Sequence, residues 1–124
     1  MPDERPPILI LAQRIDPTAL RRLVKSGFGD MVKYVADVGR GIVAIGGELH
    51  ADAEQVLLDA GSQQEDLWGA NYYPGRGRDL CVEFTSLINI SPARGNRQME
   101  IANPALRDRI RALTLALIGE GEEL

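Results

Sequence analysis

The sequence predicts an α+β fold: a mostly antiparallel or mixed sheet with about three helices packed mainly on one face. Three observations lead there. Short β-rich apolar runs recur along the chain, and two segments open with Asp-Pro or Asn-Pro followed by apolar residues at helical spacing. The resulting order, β-α-β-β-α-β-β-β-α, holds more hairpins than crossovers, which favours antiparallel neighbours.

Residues 1–7 mix three prolines with charges and read as a loose leader. Ile8-Leu9-Ile10-Leu11-Ala12 is a short buried strand by composition. Asp16-Pro17 opens the first helix: Asp accepts a bond from an unpaired amide, and Pro at the first helical position loses nothing by lacking its N–H. Leu20, Leu23 and Val24 form its apolar stripe and Gly27 stops it. Residues 31–38 and 42–46 form a hairpin across Gly39-Arg40-Gly41, where glycine is free to take positive φ. The second of these strands is apolar on both sides, so it belongs inside the sheet with both faces covered.

Residues 51–60 read as a second helix, with Asp52 as its cap, Val56 and Leu57 inward and Gly61 closing it. Residues 67–73 read as a strand, residues 74–78 as a Gly/Pro loop, and residues 80–90 as one long strand. One face of that long strand carries Leu80, Val82, Phe84, Ser86, Ile88 and Ile90; the other, with Glu83, Thr85 and Asn89, is unusually polar. A loop over residues 91–96 and a short strand over 98–101 lead to Asn103-Pro104, which starts the last helix. Leu106, Ile110, Leu113 and Leu117 follow at helical spacing, and Gly119 ends it. The acidic residues 120–124 are expected to be a solvated, mobile tail.

A chain of 124 residues, 44% hydrophobic and 26% charged, fits one globular domain over 1–124. No apolar run approaches the roughly 20 residues needed to cross a bilayer, so no membrane partner is expected. The Pro-rich acidic start has the wrong order for a secretory signal, and a single cysteine, Cys81, cannot form an internal disulfide. A cytoplasmic protein is therefore expected, with Cys81 read as a small core residue. The net charge of −4 argues against a surface that grips nucleic acid as a whole.

Three segments can carry chemistry. Gly46-Gly47-Glu48-Leu49-His50-Ala51-Asp52 runs from a buried strand into a helix, so Glu48 and His50 are candidate catalytic groups beside a helix N-terminus. His50 is the only histidine, which excludes a site needing two imidazoles; Glu48, His50 and Asp52 with Glu65 or Asp66 could hold a single metal, but the favoured reading has no metal or cofactor. The alternative is that Asp52 caps the helix while Glu48 and His50 are surface residues. Around residues 64–74 the only tryptophan, Trp68, stands near Asn71, Tyr72 and Tyr73, a mixture suited to stacking and hydrogen-bonding a planar ligand. Equally, Trp68 can be core and the tyrosines a dimer seam. Finally, Arg94, Asn96 and Arg97 sit in a Gly-containing loop fit to hold a carboxylate or phosphate, and Arg107, Arg109 and Arg111 extend the basic stretch. Against that, these arginines can be a solvated face or pair with Glu48, Glu65 or Glu83.

The segments Ile45-Gly46-Gly47-Glu48-Leu49-His50-Ala51-Asp52-Ala53-Glu54, Gln64-Glu65-Asp66-Leu67-Trp68-Gly69-Ala70-Asn71 and Glu83-Phe84-Thr85-Ser86-Leu87-Ile88-Asn89-Ile90, with Gly95-Asn96-Arg97, resemble an uncharacterised prokaryotic family, a domain of unknown function. The resemblance covers residues 31–118 and leaves the first strand and helix outside. It implies no activity, so it assigns no role to any residue.

The leading expectation is a small binding protein, a homodimer, whose Trp68, Asn71, Arg94, Asn96 and Arg97 hold an anionic or planar ligand such as a nucleotide or an RNA end. One alternative is a metal-independent hydrolase or nuclease using Glu48 or His50 as base with Arg94 or Arg97 stabilising negative charge. Another is a protein that acts through its surface and has no small-molecule site.

Overall fold

The computed structural model describes residues 7–124. The leader expected over residues 1–7 therefore lies outside the described residues, save Pro7. Five strands, β1 (Ile8–Leu11), β2 (Val32–Asp37), β3 (Ile42–Gly46), β4 (Leu67–Tyr72) and β5 (Val82–Glu83), pair antiparallel in the order β1-β3-β2-β4-β5. Three helices accompany them: α1 (Pro17–Ser26), α2 (His50–Asp59) and α3 (Pro104–Leu117). The α+β architecture with an antiparallel sheet follows the sequence expectation.

Alternation along the strands divides the core. β2 and β4 send Tyr34, Ala36, Ala70 and Tyr72 to one face, where α1 packs Leu20 and Leu23 and α3 packs Ile110 and Leu117. Val35, Ala44 and Leu67 point the other way and meet Ala53 and Leu57 of α2. Two helices thus share one face and the third covers the opposite one. β3, apolar on both sides, lies between β1 and β2 as its composition requires. The helix starts are those the chemistry dictates: Asp16 Oδ1 accepts from Thr18 N and Ala19 N, and Asn103 Oδ1 from Ala105 N and Leu106 N. In the hairpin turn Asp37 Oδ1 takes the amides of Gly39 and Arg40, and Gly41 has φ +69°.

Four local expectations need correction. Asp52 does not cap α2, which begins at His50 after an N-cap Leu49 that makes no side-chain bond. The long strand over 80–90 shrinks to Val82–Glu83. Ser86 Oγ accepts from Ile88 N and turns the chain into a 3-10 segment, Leu87–Asn89. There the Asn89 side chain replaces a strand: its Oδ1 accepts from Gly69 N at 2.8 Å and its Nδ2 donates to Gly69 O at 2.9 Å. Residues 98–101 form no strand, since Glu100 makes only a single bridge, with Thr85. Nor is the acidic tail loose. The Gly121 carbonyl accepts from Gly75 N and Gly77 N, and Gly121 N donates to the Tyr72 hydroxyl. Glycine at 121, with φ +78°, lets the chain close on this loop. The surface pairs Arg78–Glu120 and Arg14–Glu122 add little by themselves.

Candidate functional site

On the face covered by α2, the sheet turns polar toward β5. Lys33, Asn71 and Glu83 stand in register on adjacent strands β2, β4 and β5, so they form a row with neighbours about 4.8 Å apart along the sheet. His50, the first residue of α2, leans over this row. Its Nε2 lies 2.8 Å from the Ala70 carbonyl oxygen, and its Cδ2 edge rests against Gly69. A carbonyl only accepts, so Nε2 carries the ring proton and Nδ1 keeps a lone pair on the edge turned away from Gly69.

Burial pushes the His50 pKa below its usual 6.5, and Lys33 pushes the same way, while the Ala70 bond and the nearby Asn71 amide and Glu83 oppose it. The positive end of α2 also disfavours a protonated ring. His50 is therefore neutral at pH 7. The unfolded chain, with its ordinary imidazole, takes up a proton first on acidification. The stability linked to His50 is consequently complete above about pH 6.5 and is lost as pH falls below it toward the folded value. We expect urea midpoints to fall across this window, and the fall to be smaller in His50→Gln. Parallel profiles for the two proteins would refute this linkage.

Asn71 holds the centre of the row. Its Nδ2 donates to Glu83 Oε1 at 2.8 Å and toward Thr85 O at 3.4 Å, and the Tyr73 hydroxyl donates to the same Glu83 oxygen at 3.3 Å. Asn71 Oδ1 is buried with no hydrogen-bond partner among the described residues. It acts on the His50 pKa by proximity, but the two groups do not reach hydrogen-bond geometry. The site thus holds hydrogen-bond acceptors, Asn71 Oδ1 and the His50 ring in buried residues and the Glu83 carboxylate in an exposed one. Such an array suits the donors of a ligand, and the neutral imidazole is fit to take up a proton.

The other expected site residues lie elsewhere and do different work. Trp68 is 5% exposed, and the Arg94 guanidinium stands 3.7 Å over its ring, so that ring face is occupied. Arg94 also donates to the carbonyls of Leu67, Glu65 and Ile88, which commits it to the protein's own backbone instead of to an oxyanion. Asn96 is equally committed: buried, its Nδ2 faces the carbonyls of Asn89, Gln98 and Glu100, and its Oδ1 accepts from Ala102 N. It staples the loop together. Arg97 and Glu48 are exposed, and among the described residues no hydrogen bond joins either to His50. Of the expected residues, His50 and Asn71 alone meet at this row. Glu83, Lys33 and Tyr73 complete it; Glu83 had a visible signal on the polar side of residues 80–90 and Tyr73 in the aromatic cluster near Trp68, while Lys33 had none.

Among the described residues no group of three or more His, Cys, Asp or Glu could hold a metal ion. Cys81 is buried, its thiol pKa pushed up by that burial, so it stays protonated in the core. No helix among the described residues is long and apolar enough to cross a membrane.

No curated protein and no solved structure matches the chain. A family model described as "protein of unknown function" matches residues 9–117, so the relationship reaches back through β1 and α1, beyond the 31–118 carried by the resemblance. The chain belongs to that family, DUF5674.

Proposed function

We propose that the protein is a small-molecule-binding domain whose ligand presents hydrogen-bond donors to the His50–Asn71–Glu83 row, as the amine edge of a planar nucleobase would. One observation supports this reading above the rest: Asn71 Oδ1 is buried and unpartnered beside an imidazole held neutral. A buried acceptor left without a donor costs about 1–3 kcal/mol, and a bound donor returns that energy as affinity. The reading keeps the planar half of the expected ligand and moves it away from Trp68.

A nucleoside present at about a hundred times its Kd adds about 2.7 kcal/mol to stability, which appears as a Tm rise of several degrees. We expect such a rise for at least one amine-bearing nucleoside, and its loss in Asn71→Leu. A flat response across the four common nucleosides, or one indifferent to Asn71, would remove the reading. The fixed neutral tautomer of His50 favours a second one: general-base hydrolysis in which Nδ1 takes a proton from water. Turnover unchanged in His50→Gln would exclude it.

We also read the protein as cytoplasmic, in keeping with its single unpaired cysteine, and as a homodimer. β1 is the outer strand of the sheet, and its Leu9 and Ile10 are 39% and 42% exposed. Edge strands of this composition invite pairing with a second copy. Light scattering that returns the monomer mass at every concentration would rule the dimer out.

A further inference from the structure

Next to the polar row, a cleft of about 240 Å³ is lined by β5 and the residues just after it together with Arg76, Glu100 and Arg107. Its charged walls are Arg76 and Arg107, Glu83 and Glu100. Both arginines are held by aromatic rings. The Arg76 guanidinium stands 3.7 Å over the Tyr73 ring, and that of Arg107 stands 4.7 Å over Phe84. Neither takes part in an ion pair among the described residues. A guanidinium stacked by its face keeps the N–H groups of its edge available, in the fork that matches a carboxylate or phosphate.

Of the opposite charges, Glu83 is fixed in the same way. The Tyr73 that carries Arg76 on its ring also donates its hydroxyl to Glu83 Oε1, where Asn71 Nδ2 donates too. One tyrosine therefore ties a cation and an anion to the same position, and both protein donors fall on Oε1, leaving Oε2 of Glu83 uncommitted among the described residues. Two arginines facing two glutamates make a cleft without net charge. A lone oxyanion entering it meets repulsion from Glu83 and Glu100 as well as attraction from the arginines, and a lone ammonium meets the converse. Only a ligand carrying both charges satisfies all four walls.

We propose that this cleft binds a small zwitterion, its phosphate or carboxylate held by Arg76 and Arg107 and its ammonium by Glu83 and Glu100. The inference extends the binding reading above, with which it shares Glu83.

Phosphoethanolamine and β-alanine are suitable probes, each with an ammonium two carbons from an oxyanion; inorganic phosphate and ethanolamine are the half-ligands. In calorimetric titrations of the full chain, both zwitterions should bind at least about ten-fold more tightly than either half, a preference worth about 1.4 kcal/mol. Arg107→Ala, Arg76→Ala and Glu100→Gln should each abolish it, while Arg97→Ala should not. If phosphoethanolamine alone shows the preference, the oxyanion is a phosphate; if β-alanine alone does, it is a carboxylate. Half-ligands that bind as well as zwitterions, no zwitterion binding, or binding unchanged in Arg107→Ala would overturn the inference. Zwitterion binding through Arg107 with no Asn71-dependent nucleoside binding leaves the cleft and removes the nucleobase reading. The reverse pattern removes the cleft alone.

Discussion

Replacing Asn89 with alanine is expected to lower the unfolding free energy by about 2–5 kcal/mol, because it strands two buried backbone groups at once. The Asn89 amide is the sole described partner of the outward N–H and C=O of Gly69, at 2.8 and 2.9 Å, and it also donates to Met99 O. Alanine leaves these groups in a space closed to water, and the small cavity adds to the loss. Urea unfolding of the two proteins measures the difference, and a loss below about 1 kcal/mol would show that water replaces the amide. The same substitution should loosen the Ser86 segment and with it the support of Glu83 and Thr85.

Gly69→Ala should be nearly as damaging, for the opposite reason. A methyl group there would lie 2.6 Å from Ser86 Cβ, 2.7 Å from its Oγ and 3.1 Å from His50 Cδ2. Ser86 is too short to swing aside, so backbone or helix must shift, at a cost of about 1–3 kcal/mol and sometimes more. The displaced imidazole should lose part of its burial, the main cause of its lowered pKa, so its pKa should return toward 6.5 even though loss of the bond to Ala70 O acts the other way. Proton NMR titration of the single histidine reads this directly. Adding Ser86→Gly removes the clashing atoms, so the double variant should recover part of the stability. Strict additivity would mean that the crowding is relieved in some other way.

Much of the framework could be read from local chemistry. Asp16-Pro17 and Asn103-Pro104 mark helix starts because their amides and side chains are neighbours in sequence, and Gly39-Arg40-Gly41 marks a turn for the same reason. The long strand over 80–90 failed where its evidence was periodicity alone. Alternation persists through Phe84 and Ser86, but whether a ladder continues depends on partners, and here the side chain of Asn89 takes the ladder's place against Gly69, twenty positions earlier. The site shows the same limit. Arg94 and Asn96 have the right groups for a ligand, yet the fold turns them onto carbonyls of their own chain. His50 and Asn71 are twenty-one positions apart; only the packing of α2 over β4 makes them neighbours.

Asn89 has a further consequence for how the molecule behaves in company. Because β5 is only two residues long, β4 would otherwise expose a bare hydrogen-bonding margin from Leu67 to Gly69. Side chains seal it: Asn89 covers Gly69, and Arg94 covers the Leu67 carbonyl. A foreign strand finds no free groups along that stretch of β4, while β1, among the described residues, has no strand on its outer side. With those groups taken, pairing of another strand along that stretch of β4 is blocked. The asparagine that stands in for a strand is thus also a guard against aggregation.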